Sequence, residues 1–365
     1  MEKHITDVAF DMHQDSITAA WLLPNATTPE VRRIPHEAKT FHRLVRQLLT
    51  HGPARACYEA GPCGYAPQRY LVSWGLPCEV VAPALTPRRP GVRIKTDRRD
   101  AVKLVRLYRA GELTTIRVPT PAEEARRDLL RCREACGADL LRAKHRLTKC
   151  LLRQGLRCPT GSPWSQAWWT WVQALRLPDP VAQRTLEEYL VTVTTLQGRR
   201  KALEAEVLAL ATVEPWAPAV ARLRCLHGID TLSAVTLVGE VLDFHRFGAP
   251  RPLMSFVGLV PSEASSGPRE RRGWITKTGN AHLRRILVEA AWHYRHRPRV
   301  SARLQACRAG QPPRVIAVAQ QAQERLHRRF GRLLARGKPA PVVVTAVARE
   351  LCGFIWALMV EAPAA

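Results

Sequence analysis

Two aspartates three residues apart, Asp97 and Asp100, lie within a run of cations in the stretch KTDRRDA, residues 95–101. On a helix, residues i and i+3 share a face, with their Cβ atoms about 5–6 Å apart. Two carboxylates held so close repel each other unless a cation lies between them. Mg²⁺ suits this position because it prefers carboxylate oxygens and also accepts phosphate oxygens. The alternative is a solvated helix N-terminus, where the helix dipole favours aspartate.

Two further acidic residues come directly after predicted β-strands: Asp11 ends the first strand, and Glu59 ends the fourth. Alternating and helical apolar spacing predicts the order strand, strand, strand, helix, strand, helix, strand, helix. The strands are predicted at 5–10, 17–23, 31–34, 55–58 and 78–82, and the helices at 36–49, 65–74 and 95–109.

Strand ends and helix starts converge at one edge of an α/β sheet, where ligands usually bind. We therefore expect Asp11, Glu59, Asp97 and Asp100, called the acidic tetrad below, to surround one Mg²⁺ site. Two ions about 3.5–4 Å apart can activate the attacking and leaving oxygens of a phosphodiester. The layout resembles the ribonuclease-H-like (RuvC-like) fold of nucleases and resolvases, and we assign it to residues 1–118.

The second region, residues 119–214, is predicted to be helical, with long helices over 122–155 and 181–210. The first of these helices carries many Arg and Lys beside a leucine stripe, which suits either a phosphate-facing helix or an exposed basic face. Together the two helices could form an antiparallel coiled coil and a dimer contact. Between them, residues 156–180 contain four tryptophans that either stack on unpaired bases or anchor a helical hairpin.

The third region, residues 215–365, is predicted to be mainly helical. Residues 226–234 predict helix, tight turn, helix, which is either an ordinary turn between two helices or a hairpin that binds a backbone phosphate. The apolar helix predicted over 342–360 contains Arg349 and Glu350, so we expect it to pack in a core and not to cross a membrane.

A loop rich in serine and glycine, residues 262–267, precedes a cluster of cations in the third region. Glycine lets a backbone approach phosphate closely, arginine can bind phosphate through two hydrogen bonds, and a serine could attack phosphorus. A loop of this composition is also typical of a simple turn. Counting the two cations of the first stretch, the residues expected to contact nucleic acid are Arg98, Arg99, Arg269, Arg271, Arg272, Lys277, Arg284 and Arg285.

The charge of the chain indicates a polyanionic partner. Its 365 residues include 56 Lys and Arg against 31 Asp and Glu, a net charge of +25. Nucleic acid and an anionic membrane surface both fit charge alone, but no apolar run reaches the ~20 residues that span a bilayer cleanly. We see no signal peptide, and ten scattered cysteines without zinc spacing fit a reducing cytoplasm.

Two motif blocks resemble the DEDD insertion-sequence transposases, insertion-sequence family one-ten, which are bridge-RNA-guided recombinases. The C-terminal block runs Gly-Leu-x-Pro, Ser-Gly, Gly-x-Ile-x-Lys-x-Gly-Asn and Leu-Arg-Arg over residues 258–285. The N-terminal block is the acidic tetrad with its flanking residues. One departure is Ala9-Phe10 before Asp11, where the family more commonly has Gly-Ile.

The resemblance implies that the acidic tetrad binds Mg²⁺ and that Ser266 is the nucleophile, although the adjacent Ser265 could take its place in the alignment. It also implies DNA exchange through phosphoserine intermediates, at a site composed from two subunits of a homo-oligomer (a dimer or a dimer of dimers). A structured noncoding guide RNA would pair with target and donor DNA. The protein would act in the bacterial cytoplasm, at the nucleoid.

Two other functions remain open from the sequence. A hydrolytic nuclease similar to a junction resolvase would use the acidic tetrad and water, without Ser266. A nucleic-acid-binding protein without catalysis would show salt-sensitive binding and no Mg²⁺-dependent cleavage.

Overall fold

The computed structural model describes residues 5–87, 96–159, 161–265, 269 and 271–360. The chain forms two compact units, an N-terminal unit, Met1–Thr120, and a C-terminal unit, Pro121–Ala365. The division into three regions at residues 118 and 214 stays a prediction.

In its described residues the N-terminal unit has a six-stranded mixed sheet and three α-helices. Its strands are β1 (Thr6–Met12), β2 (Ser16–Leu22), β3 (Glu30–Pro35), β4 (Ala54–Glu59), β5 (Cys78–Val81) and β6 (Thr115–Ile116). Its helices are α1 (Ala38–Leu49), α2 (Ala66–Ser73) and α3 (Asp97–Arg109). The predicted order of elements is confirmed as far as α3. The short strand β6 was not predicted, because two residues carry no recognisable alternation.

The sheet has the strand order β3-β2-β1-β4-β5-β6. The first three strands are antiparallel neighbours, whereas β1 pairs with β4, and β4 with β5, in parallel. This mixed arrangement is consistent with the ribonuclease-H-like domain that the sequence predicts. Since β1 and β4 are parallel neighbours, their carboxyl ends lie side by side at one edge of the sheet.

Alternation along β1 gives the sheet two buried faces. Val8 and Phe10 pack with α1 in one apolar cluster, and Ala9 packs with α3 in another. Asp7 and Asp11 share the face of Ala9 because side chains two residues apart on a strand point the same way. The strand therefore directs Asp11 toward α3.

The C-terminal unit is mostly helical. Its helices are α4 (Pro121–Arg153), α5 (Gln166–Ala174), α6 (Pro180–Ala209), α7 (Trp216–Leu223), α8 (Thr231–Val241), α9 (Pro250–Val257), α10 (Ala281–Ala291), α11 (Ala302–Arg308), α12 (Pro313–Ala335) and α13 (Ala340–Val360). A β-hairpin of β7 (Pro261–Glu263) and β8 (Arg272–Ile275) lies between α9 and α10 in the sequence. This hairpin falls where the sequence predicted only a loop.

The long helices α4 and α6 pack against each other in antiparallel directions. Arg133 near the start of α4 pairs with Glu204 near the end of α6, and farther along α4 Leu147 shares an apolar cluster with Leu186. Trp168 is buried in the same cluster. The packing supports the anchoring role for the tryptophans, while the coiled coil and its dimer contact stay predictions.

The turn before α8 makes its contacts within the C-terminal unit. A side-chain carbon at Gly228 would come within 2.7 Å of the Ala290 carbonyl oxygen, so the turn lies directly against α10. The Asp230 carboxylate accepts the Ser233 backbone N–H at 2.7 Å and caps α8. Both contacts favour the ordinary turn between helices over the phosphate-binding hairpin.

Among the described residues one helix, α13, is long and apolar enough to cross a membrane by length and composition. It is instead a core element of the C-terminal unit, with Val343, Val347, Leu351 and Ile355 buried against neighbouring helices. The structure therefore gives this helix the packed position that its sequence predicts.

Candidate functional site

The structure brings two members of the acidic tetrad together, Asp11 from β1 and Asp97 from α3. Thr96 caps α3 by accepting the Arg99 backbone N–H at 3.3 Å, and the helix starts at Asp97. This start places Asp97 in the first turn of α3, facing the strand end that carries Asp11. Ligand atoms of Asp11, Asp97 and His13 all lie within 4.8 Å of one another.

His13 is the residue that the sequence analysis missed at this site. Its Nε2 atom lies 3.4 Å from an oxygen of Asp11 and 3.5 Å from an oxygen of Asp97. The pattern Asp-x-His at a strand end was an available signal, because residues two apart point to the same side.

The other two members of the tetrad, Glu59 and Asp100, line the same cleft as Asp11. Phe10 pairs with Tyr58 in the parallel ladder, so that Asp11 and Glu59 are the next residues on their two strands. Asp100 lies one helical turn after Asp97 and is close enough to Asp11 to affect its ionisation. The cleft measures about 2060 Å³, more than the ~300–1,000 Å³ of a typical small-molecule pocket.

The pKa of Asp11 reflects burial and the repulsion between the carboxylates of this site. Burial raises the pKa of the Asp11 carboxyl above its ordinary value, and the carboxylates of Asp97 and Asp100 raise it further. His13 opposes both effects by Coulomb attraction and a hydrogen bond. A site where carboxylates disfavour each other's charge is one that a divalent cation would relieve.

These residues fit a divalent metal. The acidic tetrad provides carboxylate oxygens, the ligands that Mg²⁺ prefers, and His13 adds an imidazole nitrogen. Arg98 and Arg99, predicted to contact nucleic acid, are exposed and line the same cleft. The carboxylates of this cleft could bind a metal ion, and the arginines could bind the phosphate backbone of a nucleic acid.

The predicted nucleophile, Ser266, lies outside the described residues, as do residues 88–95, which include Lys95 of the stretch KTDRRDA, and residues 361–365. Its neighbour Ser265 is described. The Ser265 hydroxyl donates to a carboxylate oxygen of Glu263 at 2.8 Å and accepts the Arg271 backbone N–H at 3.2 Å. These two hydrogen bonds tie the Ser265 hydroxyl to other residues of the hairpin.

The predicted nucleic-acid contacts of the C-terminal unit divide into two sets. Those of the hairpin and the loop after it are exposed: Arg269, Arg271, Arg272 and Lys277. Those of α10 are engaged within the unit, because Arg284 donates to the Val257 carbonyl at 2.8 Å and Arg285 pairs with Glu134 and Glu289. Their roles toward nucleic acid stay predictions.

Two protein-family models match the chain. One, described as a transposase and named for the DEDD transposases of IS110, matches residues 8–154. The other, described as Transposase IS116/IS110/IS902 family, matches residues 220–305. The first match contains the acidic tetrad and the second contains Ser266 and the hairpin.

Curated relatives agree with these matches. The putative transposase y4qE of Sinorhizobium fredii is 43% identical over 84% of this chain and 75% of its own length. The transposase for insertion sequence element IS1533 of Leptospira borgpetersenii is 34% identical over 91% of this chain and 97% of its own length. Since both motif blocks and nearly the whole chain are matched, the protein belongs to the IS110 family of DEDD insertion-sequence transposases, which are DNA-cutting enzymes.

Proposed function

We propose that this transposase cuts and exchanges DNA strands through a phosphoserine intermediate at Ser266, with Mg²⁺ held by Asp11, Glu59, Asp97 and Asp100. The observation that carries the proposal is the position of the tetrad: Asp11 lies against Asp97, while Glu59 and Asp100 line the same cleft. The family match supports the serine, because the matched C-terminal block includes residue 266.

The proposed step balances as a transesterification. The Ser266 Oγ atom attacks a DNA phosphorus, an O–P bond to serine forms, and the P–O bond to the leaving deoxyribose oxygen breaks. The serine proton leaves to a base, and the departing oxygen takes up a proton. A hydroxyl of a second DNA strand then attacks the phosphoserine, which restores Ser266. Bound Mg²⁺ would supply the positive charge that stabilises the phosphorane-like transition state.

His13 belongs to the same proposal as an additional ligand of the metal. Its Nε2 atom faces both Asp11 and Asp97 at 3.4 and 3.5 Å. An imidazole nitrogen beside carboxylates gives a mixed donor set, which binds transition metals such as Mn²⁺ better than carboxylates alone do. The natural ion of the site remains Mg²⁺ in this proposal.

We further propose that a structured noncoding RNA directs the enzyme to target and donor DNA by base pairing. The net charge of +25 supports contact with two polyanions. The sequence has no recognisable motif for reading the major groove, which fits a protein that recognises backbone and shape.

The assembly proposed for this reaction is a homo-oligomer, either a dimer or a dimer of dimers. A serine of one subunit would meet the acidic tetrad of another, and residues 119–214 would form the coiled-coil region of a three-part chain. We place the enzyme in the bacterial cytoplasm at the nucleoid, with no membrane role. The core position of α13 supports that placement.

Cleavage of element-junction DNA with guide RNA and Mg²⁺ tests the proposal. We expect Ser266→Ala to abolish the covalent protein–DNA adduct and Ser265→Ala to retain it. We expect Asp97→Asn to abolish both adduct and cleavage, because the neutral amide keeps the shape but loses the charge. Cleavage that survives Ser266→Ala and needs Asp97 would indicate a hydrolytic nuclease instead.

A further inference from the structure

Trp274 on β8 is the most exposed large apolar side chain among the described residues, with 80% of its surface open to solvent. The neighbouring Ile275 packs toward the core of the C-terminal unit, so alternation directs Trp274 to the opposite, outer face of the hairpin. Arg272, two residues earlier, shares that face. Ser262 fixes the strand by donating to the Trp274 carbonyl oxygen at 3.1 Å.

The hairpin that carries Trp274 has three exposed arginines, Arg269, Arg271 and Arg272. Burial lowers the pKa of the Arg349 guanidinium on α13, and the positive charges of Arg329, Arg272 and Arg251 lower it further, while Glu350 opposes the change. Arg329, Arg272 and Arg251 are therefore each close enough to Arg349 to repel its positive charge. Glu350 pairs with Arg329 at 3.0 Å and also with Arg325. An anion would relieve this repulsion.

The chemistry of the face selects its partner. An exposed indole can stack on a flat apolar surface, and the nearby guanidinium groups can bind anions. Nucleic acid with unpaired bases offers both, because every base has a π-face and every nucleotide a phosphate. A duplex offers the phosphates alone, since its bases are already stacked.

We propose that the outer face of the β7–β8 hairpin binds an unpaired stretch of DNA, with Trp274 stacked on a base and Arg272 facing the phosphates. The proposal needs DNA as the partner, which the family supplies, and does not depend on the serine chemistry. Unpaired DNA is present whenever strands are separated for exchange, so the reaction itself supplies such a partner.

The test compares one labelled oligonucleotide as single strand and as duplex, with affinity for the full-length protein measured by fluorescence anisotropy. We expect Trp274→Ala to weaken single-strand binding about 5- to 100-fold, the effect of losing one stacked base. Duplex affinity should change by less than about twofold. Trp274→Phe should retain most of the single-strand affinity, because phenylalanine also stacks.

A matched control is Val181→Ala, which trims another strongly exposed apolar side chain, 74% open, on α6. It should leave both affinities unchanged. Arg272→Gln should weaken binding of both probes and reduce the slope of log affinity against log salt by about 0.7–0.9.

Five outcomes would overturn the proposal. Trp274→Ala could leave single-strand DNA affinity intact, or lower single-strand and duplex affinity equally. It could weaken binding of single-stranded RNA of the same sequence while DNA binding is unchanged. It could reduce self-association in sedimentation without changing DNA affinity, which would make the face a contact between copies of the chain. A wild-type protein that binds neither probe overturns it as well.

Discussion

His13 changes the chemistry expected at the acidic site. The sequence predicts a site of carboxylates alone, but the structure places an imidazole nitrogen within 3.5 Å of both Asp11 and Asp97. An imidazole that donates a hydrogen bond to either carboxylate would hold the pair together before a metal arrives. The same nitrogen, once free of its proton, is a metal ligand.

Replacing His13 should therefore change metal preference more than it changes the fold. We expect His13→Ala to lower Mn²⁺ affinity roughly tenfold, equivalent to ~1.4 kcal/mol. Mg²⁺ affinity should change less, because Mg²⁺ prefers oxygen ligands. Isothermal titration of both ions measures this without reference to activity.

Asp15→Ala, which removes an exposed carboxylate in the same turn, is the matched control and should leave both affinities unchanged. Equal losses for Mn²⁺ and Mg²⁺, or tighter binding of both ions in His13→Ala, would contradict the role of His13 as a ligand.

At the scale of elements, a buried ion-pair network fixes α3 on the sheet. The Asp7 side chain is only 5% exposed and accepts the Nε–H groups of Arg55 and Arg109, each at 2.7 Å. Arg109 also donates to the backbone carbonyls of Leu22, Leu23 and Ala26. The network ties the end of α3 to β1, β4 and the segment after β2, and so supports the helix that carries Asp97.

Removing the carboxylate at the centre of this network should destabilise the N-terminal unit. We expect Asp7→Ala to lower the free energy of unfolding by about 2–3 kcal/mol, because two partly buried guanidinium groups lose their counter-charge. Urea unfolding, followed by circular dichroism, measures the change. A loss below about 0.5 kcal/mol, the usual range for surface substitutions, would show that the network contributes little.

A second network, in the C-terminal unit, joins α4, α8 and α10. The Glu240 side chain is 1% exposed, pairs with Arg131 at 2.8 Å and accepts from Asn280 at 2.6 Å. Burial alone would raise the pKa of Glu240, but Arg131 and Asn280 outweigh it and hold the pKa below the ordinary glutamate value. The ionised carboxylate is thus the form that the folded unit stabilises.

The sign of this pKa shift sets a pH dependence. Because the folded pKa is depressed, the contribution of Glu240 is fully present above the unfolded glutamate pKa of about 4.3 and is lost as pH falls through the folded pKa. At pH 7 we expect Glu240→Gln to cost about 1–3 kcal/mol. In unfolding experiments at pH values below the unfolded glutamate pKa, the difference in free energy of unfolding between Glu240→Gln and wild type should shrink. A difference that stays constant with pH would contradict the assignment.

How far the sequence predicts these elements depends on the range of the interactions involved. Local periodicity predicted the elements from β1 to α3 because each buries its own apolar pattern. It missed β7 and β8, since Pro261 and Gly273 are poor strand formers and the pairing joins residues that are distant in sequence, Pro261 with Ile275 and Glu263 with Arg272. It placed Asp11 and Glu59 at strand ends, yet only the parallel register shows that they are neighbours.

At the scale of the molecule, charge and motif order carried the functional conclusion. The net charge of +25 predicted a polyanionic partner, and the two motif blocks predicted the transposase family that the comparisons confirm. Whether the serine meets the acidic tetrad of its own chain or of another chain depends on how the subunits assemble. Periodicity and composition carry no information on assembly, because they describe each segment separately.

The most direct test of the central claim is to identify the residue that becomes joined to DNA. The wild-type transposase would be incubated with guide RNA, Mg²⁺ and junction DNA, digested with nuclease and protease, and mapped by mass spectrometry. We predict a nucleotide remnant on Ser266 in the wild type and none in Asp97→Asn. A remnant on Ser265 or any other residue, or cleaved DNA with no remnant at all, would contradict the account.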